Sequence, residues 1–125
     1  MNIVNLTPHD VVLYHAEDTI TEGKTVMVAA EAAPRAIFPK SGMVARARQT
    51  ESVTGTIDGI EVLSMSYGEV EDLPEPQEGT MYIVSALTAM AARAHGRTVS
   101  DLLLVAHAVR NAEGQIIGCT AFSQL

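Results

Sequence analysis

The stretch Gly79–Gly96, GTMYIVSALTAMAARAHG, contains the clearest transition from strand to helix in the chain. Its residues 81–84 (MYIV) form an apolar, β-prone run, and Ser85 follows where a helix N-cap residue is expected. The next residues, rich in alanine, leucine and methionine, favour a helix, and Gly96 is typical of the position just beyond a helix end. The stretch therefore predicts one strand followed directly by one helix near residues 85–95.

The segments on either side of this stretch alternate between apolar and polar residues over short runs bounded by turn residues, which is typical of strands. Strands are predicted at residues 2–6, 11–15, 25–30, 43–48, 53–57, 60–65, 102–110 and 115–119. Segment 102–110 (LLLVAHAVR) fits a buried strand by its length and a helix by its composition. We favour a strand, because residues 111–114 resemble a turn leading into a partner strand.

Turn signals connect these strands. Asp58-Gly59 between two alternating runs is a strong hairpin signal, and residues 2–15 are interpreted as a second hairpin. Polar or proline-containing loops are predicted at residues 16–24, 31–42 and 66–79. The pattern predicts a single α+β domain over residues 1–125. It is predominantly antiparallel β, with about eight short strands in a curled sheet or small barrel and one helix near 85–95.

Composition limits the classes of function. The chain of 125 residues carries a formal net charge of -7, which argues against nucleic acid and anionic membrane surfaces as partners. The single cysteine, Cys119, allows no disulfide framework. No signal-peptide pattern and no apolar run of membrane-spanning length is present. These features predict a cytoplasmic protein.

Polar residues near the first predicted turn form one candidate ligand site. Asn5, Thr7 and His9 offer hydrogen-bond donors and acceptors to a base or ribose, although an ordinary turn with internally bonded side chains explains them as well. Ser85 begins the helix, where free backbone N–H groups and the positive end of the helix dipole favour a phosphate. A plain N-cap role is the alternative for Ser85.

Arginines and a tyrosine complete the predicted ligand site. Arg46 and Arg48 are two residues apart on a strand, so they are expected on one face, where two guanidinium groups can hold a phosphate. The alternative is a solvated face, or pairing with the acidic loop. Arg93 and Arg97 lie around the helix end, and Tyr82 could stack on a base if it faces the site.

The remaining polar clusters indicate no catalytic or metal site. The acidic segment 69–78 does not have the spacing of a calcium loop, and a gate over a pocket or an oligomer contact is preferred for it. His107 lies in an apolar run and is interpreted as a hydrogen-bonded core residue. His107 and Cys119 could face each other across the last hairpin, but no third group is placed to orient the histidine. Ser85 lacks the surroundings of a nucleophile elbow. No catalytic residues, metal or cofactor are therefore predicted.

Three segments carry a resemblance to known proteins: NIVNLTPHDVVLY at the N-terminus, SGMVARAR, and GEVEDLPEPQEGTMYIVSALTAMA. Together with the closing segment VRNAEGQIIGC, they resemble a group of small, largely uncharacterised proteins of bacteriophage and actinobacterial genomes. The chain is also similar in class to phage sponge proteins. These bind and sequester nucleotide immune signals, such as cyclic ADP-ribose derivatives, usually as homo-oligomers and without chemistry.

The leading prediction is a non-enzymatic, phage-encoded protein that acts as a homo-oligomer in the host cytoplasm. It would sequester a nucleotide-like or phosphorylated ligand with Asn5, Thr7, His9, Arg46, Arg48, Tyr82 and Ser85. The alternative is a protein-interaction module, or an inhibitor of a host protein, that acts through the acidic segment 69–78. An enzyme that uses His9 with a nearby acid such as Asp10 ranks below both.

Overall fold

The structure, a computed structural model, describes residues 1–29 and 31–125. Within these residues it has ten strands and one α-helix. The strands are β1 (Asn2–Asn5), β2 (Val11–Leu13), β3 (Thr19–Glu22), β4 (Thr25–Val28), β5 (Ala36–Phe38), β6 (Arg46–Ile57), β7 (Ile60–Glu71), β8 (Thr80–Ile83), β9 (Leu102–Arg110) and β10 (Ile116–Ser123). The helix is α1 (Ala86–Ala94), and a short 3-10 turn covers Ala16–Asp18.

One curled sheet forms the body of the protein, with its strands in the order β1-β8-β9-β10-β2-β5. The β3–β4 hairpin joins it through a pairing of β4 with β9. A parallel bridge between Asn5 and Lys40, just beyond β5, brings the two ends of this order together. The sheet is therefore nearly closed and barrel-like, which confirms the predicted strand-rich α+β architecture.

Most paired residues in the two sheets are antiparallel, but β8 lies between two parallel neighbours, β1 and β9. Both faces of β8 are covered, as is usual for strands with parallel neighbours. Because side chains alternate along a strand, Tyr82 and Val84 pack in one core cluster with Ala89 and Ala92 of α1. Ile83 packs on the opposite face with Val11 and Cys119 in a second cluster.

Several local predictions are confirmed. Ser85 caps α1, and Gly96 follows the helix with a φ of 85°. Segment 102–110 is a strand that pairs with β10. The turn between β6 and β7 has positive φ at both Asp58 (50°) and Gly59 (79°), as the tight hairpin turn requires.

Other local predictions are wrong. Residues 2–15 are not a hairpin, because β1 pairs with β8 while β2 pairs with β10 and β5. The segments 16–24 and 31–42, interpreted as loops, contain β3 and β5. The strand predicted at 25–30 spans Thr25–Val28, and Ala30 lies outside the described residues.

The largest departure is the pair β6 and β7, which forms a separate two-stranded sheet. β6 has 12 residues and joins residues 46–48 of one predicted strand to the next predicted strand, 53–57, while residues 43–45 precede it. β7 is equally long, so residues 66–71 of the predicted acidic loop are strand. Twelve residues of strand span about 40 Å. We call β6 and β7 together the ribbon; its base lies against α1, and its distal residues are almost all exposed.

Candidate functional site

A cleft of about 330 Å³ lies where the base of the ribbon meets the start of α1. Thr7, Arg46 and Ser85, three of the predicted ligand residues, line it together. Leu6 and Ala45 from the core contribute apolar surface to it, so the cleft combines an apolar lining with a few polar groups. This combination is typical of small-molecule sites, and the volume lies at the lower end of their range.

Ser85 places the helix start at the cleft by acting as the N-cap. Its Oγ accepts a hydrogen bond from the backbone N–H of Thr88 at 3.2 Å and donates to Thr88 Oγ1 at 2.9 Å. Thr88 Oγ1 in turn donates to the carbonyl oxygen of Ala45 at 3.1 Å. This chain of bonds fixes α1 against the residue before β6. The first N–H groups of an α-helix have no partner within the helix, and they carry its positive dipole end.

Arg46 provides the positive side chain of the cleft. It is the first residue of β6, lies opposite Glu71 of β7 in the register, and is exposed to solvent. Within the described residues it makes no ion pair. Its guanidinium therefore keeps its donors for a carboxylate or phosphate in the cleft.

Arg48 is engaged elsewhere, by Glu71. Its Nη2 and Nε donate to Glu71 Oε1 at 2.7 and 3.1 Å. The side-chain hydrogen bond and the charge of Glu71 raise the pKa of Arg48 above its usual value. Arg48 does not line the cleft. The structure thus matches the alternative of pairing with the acidic segment, and the two arginines are not brought together on one ligand.

The side chain of Asn5 forms hydrogen bonds within the protein and does not face a ligand site. Its side chain is buried, and its Nδ2 donates to the carbonyl oxygens of His9 and Phe38 at 2.8 and 2.9 Å. Its Oδ1 accepts from Thr7 N at 2.9 Å and from Thr7 Oγ1 at 2.6 Å. The two donors and two lone pairs of the amide are thereby used within the protein. Thr7 belongs to this network and also lines the cleft.

Two other predicted residues lie away from the cleft. Tyr82 is only 3% exposed and packs in the core against α1, so it is not available for stacking. His9 is exposed and lines a different, smaller depression beside β2 and β10.

The structure places a different aromatic residue, Tyr67 of β7, at the cleft, where it is 39% exposed. Tyr67 is not among the predicted ligand residues, because the sequence of residues 66–79 favours a loop. The alternation of Leu63, Met65 and Tyr67 was the signal that could have revealed it.

The prediction that His107 is a hydrogen-bonded core residue is wrong, and His107 does not lie opposite Cys119. His107 is exposed, whereas Cys119 is buried and lies opposite Ala108 in the register. Burial raises the pKa of the Cys119 thiol, which disfavours the reactive thiolate.

Arg97 provides a second anchor for the acidic segment, besides the ion pair of Arg48 with Glu71. Arg97 donates to both carboxylate oxygens of Asp101, at 2.8 and 2.9 Å, and to the carbonyl oxygen of Pro74 at 2.7 Å. Both charged side chains are largely buried, so Arg97 has a structural role. Among residues 1–29 and 31–125, no group of three or more histidine, cysteine or acidic side chains is arranged to hold a metal ion.

Comparison with protein families, with curated proteins and with solved structures gives no match to this chain. In the described part of the chain, no helix is both long enough and apolar enough to cross a bilayer.

Proposed function

We propose that this protein binds a small phosphorylated ligand of nucleotide type in the cleft between α1 and the base of the ribbon. The observation that carries the proposal is the convergence of Arg46, the N-terminus of α1 at Ser85, and Tyr67 on one cleft with an apolar lining. A guanidinium and a helix N-terminus are both groups that bind phosphate. A partly exposed tyrosine ring offers a planar face to a base.

The proposed role is sequestration. Two groups at the cleft suit holding an anion: the guanidinium of Arg46 and the N-terminus of α1. The further step, that the ligand is a nucleotide immune signal such as a cyclic ADP-ribose derivative and that the protein is phage-encoded, follows from the similarity in class to phage sponge proteins. Sequestration of a signal requires a dissociation constant in the nanomolar range, equivalent to about -12 kcal/mol of binding free energy.

Arg46→Ala and Arg48→Ala form a matched pair for testing this site. The two arginines are two residues apart on one strand and are both exposed, but only Arg46 lines the cleft. A charge-assisted hydrogen bond to an anion contributes about 1.5–3 kcal/mol, so we expect Arg46→Ala to weaken binding of cyclic ADP-ribose by roughly 10- to 100-fold. Arg48→Ala is expected to change it less than about threefold.

Titration calorimetry with cyclic ADP-ribose as the probe measures the dissociation constants of the wild-type protein and of both variants. Tyr67→Ala is expected to weaken binding in the same titration, because it removes the exposed ring. Equal losses of affinity for Arg46→Ala and Arg48→Ala would contradict the assignment of the ligand site to the cleft. Wild-type protein that binds neither this probe nor other cyclic nucleotides would refute the nucleotide class.

A protein-interaction role through residues 69–78 is a second candidate, favoured by one observation. Glu69 and Glu75 line a separate depression of about 390 Å³ next to the C-terminal end of α1, and both are exposed. The paired charge reversals Glu75→Lys and Glu78→Lys would abolish such a contact with a basic partner. The same changes are expected to leave ligand binding at the Arg46 cleft intact, so the two candidates are separable.

A further inference from the structure

The ribbon presents an unusual surface. β6 and β7 pair only with each other among the described residues, so both outer edges of the ribbon are unpaired. An isolated two-stranded sheet is marginally stable in water, and open edges invite pairing with another chain. A ribbon of this length therefore gains stability when a second surface covers it.

One face of the ribbon carries an apolar row on β7 that continues onto α1. The register places the polar residues Gln49 and Glu51 of β6 opposite Tyr67 and Met65. Leu63, Met65 and Tyr67 alternate along β7 and so share a face, and Val53 lies opposite Leu63 in the register. Their exposed fractions are 39%, 43%, 39% and 61%. On α1 the residues Leu87 and Met90, one turn apart, are 48% and 49% exposed, and Leu87 shares the cleft with Tyr67. We call these six apolar residues the apolar stripe.

Charge is distributed unevenly along the stripe. No lysine or arginine occurs between Gln49 and Ala92, and the distal end of the ribbon carries Asp58 and Glu61. At the opposite end of the stripe, Arg93 follows Met90 by one helical turn on the exposed side of α1. Arg93 makes no ion pair in the described part of the chain, whereas the nearby Glu71 is paired with Arg48. The stripe thus has an acidic tip and, at its other end, an arginine with no ion-pair partner among the described residues.

We infer that the apolar stripe is the contact surface for a second copy of this chain, with the two ribbons antiparallel about a two-fold axis. A two-fold contact requires a self-complementary patch, and the stripe meets this requirement because its apolar row on β7 can pack on its own copy and the acidic tip of one copy can face Arg93 of the other. Parallel ribbons would place the acidic tips together and be repelled. The antiparallel arrangement brings Asp58 and Glu61 of one copy towards Arg93 of the other.

The proposed contact surface extends along the ribbon and onto α1. Because side chains alternate along a strand, about half of residues 49–67 lie on the face of the stripe. The cleft opens beside the stripe through Tyr67 and Leu87, so the second copy would cover its rim. The dimer does not depend on the ligand, and its test uses ligand-free protein.

Sedimentation velocity of the ligand-free protein tests the inference. We expect the wild-type chain to sediment as a dimer, at twice the 13.3 kDa chain mass. The double variant Leu63→Asp/Met65→Asp is expected to weaken the dimer at least about 100-fold, because it places charges at the centre of the contact. Ile37→Asp is the matched control: Ile37 is 56% exposed on β5, outside the stripe.

A shortened ribbon keeps the test valid if the double variant folds poorly. Replacing residues 53–63 by Asn-Gly joins Ser52 to Ser64, which face each other in the register. This chain is expected to be monomeric with an intact helical circular-dichroism signal. A wild-type monomer at about 100 μM, or a dimer that survives both changes, would overturn the inference. Equal dissociation by Ile37→Asp would also overturn it.

Cysteine cross-linking tests the antiparallel orientation. Met65→Cys lies near the centre of the stripe and is expected to form an intermolecular disulfide under mild copper-catalysed air oxidation. Asp58→Cys at the ribbon tip is expected not to, because the tips of antiparallel ribbons are far apart. Cys119 is buried and does not interfere. Cross-linking through position 58 but not 65 would contradict the orientation.

Discussion

Replacing Asn5 by alanine removes the side chain that ties the two ends of the curled sheet. Asn5 is the last residue of β1, its main chain bridges to Lys40, and its amide bonds to the carbonyl oxygen of Phe38 in β5. The bond to Phe38 joins residues 33 positions apart, whereas the others are local. The change therefore acts on closure of the sheet as well as on a turn.

The expected loss in the free energy of unfolding follows from the hydrogen bonds that Asn5→Ala removes. The amide takes part in four of them, with donor–acceptor distances of 2.8, 2.9, 2.9 and 2.6 Å. Each bond contributes about 0.5–1.5 kcal/mol net, and an unsatisfied buried group costs a further 1–3 kcal/mol. His9 O keeps a second donor, Thr7 Oγ1 at 3.0 Å, which limits the loss. We expect Asn5→Ala to lower the free energy of unfolding by about 2–4 kcal/mol.

Thermal and urea unfolding, followed by circular dichroism, measure this loss. With an unfolding entropy of about 2.1 cal/mol/K per residue, a chain of 125 residues loses roughly 4 °C in Tm per kcal/mol, so the expected decrease in Tm is roughly 8–15 °C.

Asn111→Ala is the matched control, because the amide of Asn111 also takes part in four hydrogen bonds, all of them in an exposed turn. It is expected to cost less than about 1 kcal/mol. Equal effects of the two variants would refute the claim that burial and sheet closure give Asn5 its importance.

Three further changes test the packing. Gly118→Ala is expected to destabilise the fold by about 1–3 kcal/mol in urea, because the added Cβ would lie 2.5 Å from the carbonyl oxygen of Val12; an unchanged midpoint would show that the backbone relaxes freely. Asp101→Ala leaves Arg97 largely buried without its carboxylate partner and is expected to cost about 3–5 kcal/mol, so a loss below about 1 kcal/mol would contradict a structural role. Burial raises the pKa of the Cys119 thiol, so the contribution of this thiol to stability is present below the usual thiol pKa and is lost as pH rises through the pKa of the folded state. Unfolding midpoints measured from pH 7 to 10 should therefore fall at the alkaline end. A Cys119→Ala chain should show a smaller fall.

Local sequence signals predicted the local structure well. The alanine-rich helix, its serine cap and the Asp58-Gly59 turn depend on backbone preferences within a few residues, and each is where the sequence placed it. Local sequence signals do not determine the pairing between strands that lie far apart in the chain. β1 and β2 are short, apolar and separated by a turn-like segment, so a hairpin was the simplest local interpretation. Their actual partners, β8 and β10, lie far along the chain, and no local signal specifies them.

The sequence predicted only part of the candidate site, because local signals do not specify which distant segments come together. Thr7, Arg46 and Ser85 converge on the cleft. Asn5 and Tyr82 were of suitable chemical type, but burial depends on how the sheet curls and which face α1 covers. Arg48 was correctly placed on the strand with Arg46, yet its partner Glu71 lay in a segment interpreted as a loop.

The central claim is that the cleft holds a nucleotide-type ligand without changing it. Native mass spectrometry of the protein purified from bacterial cells, with and without cyclic ADP-ribose and cyclic dinucleotides, tests this claim most directly. We expect the wild-type protein to retain an intact nucleotide, and we expect this complex to be lost in Arg46→Ala but not in Arg48→Ala. Release of a chemically altered nucleotide, or protein indifferent to every nucleotide offered, would contradict it.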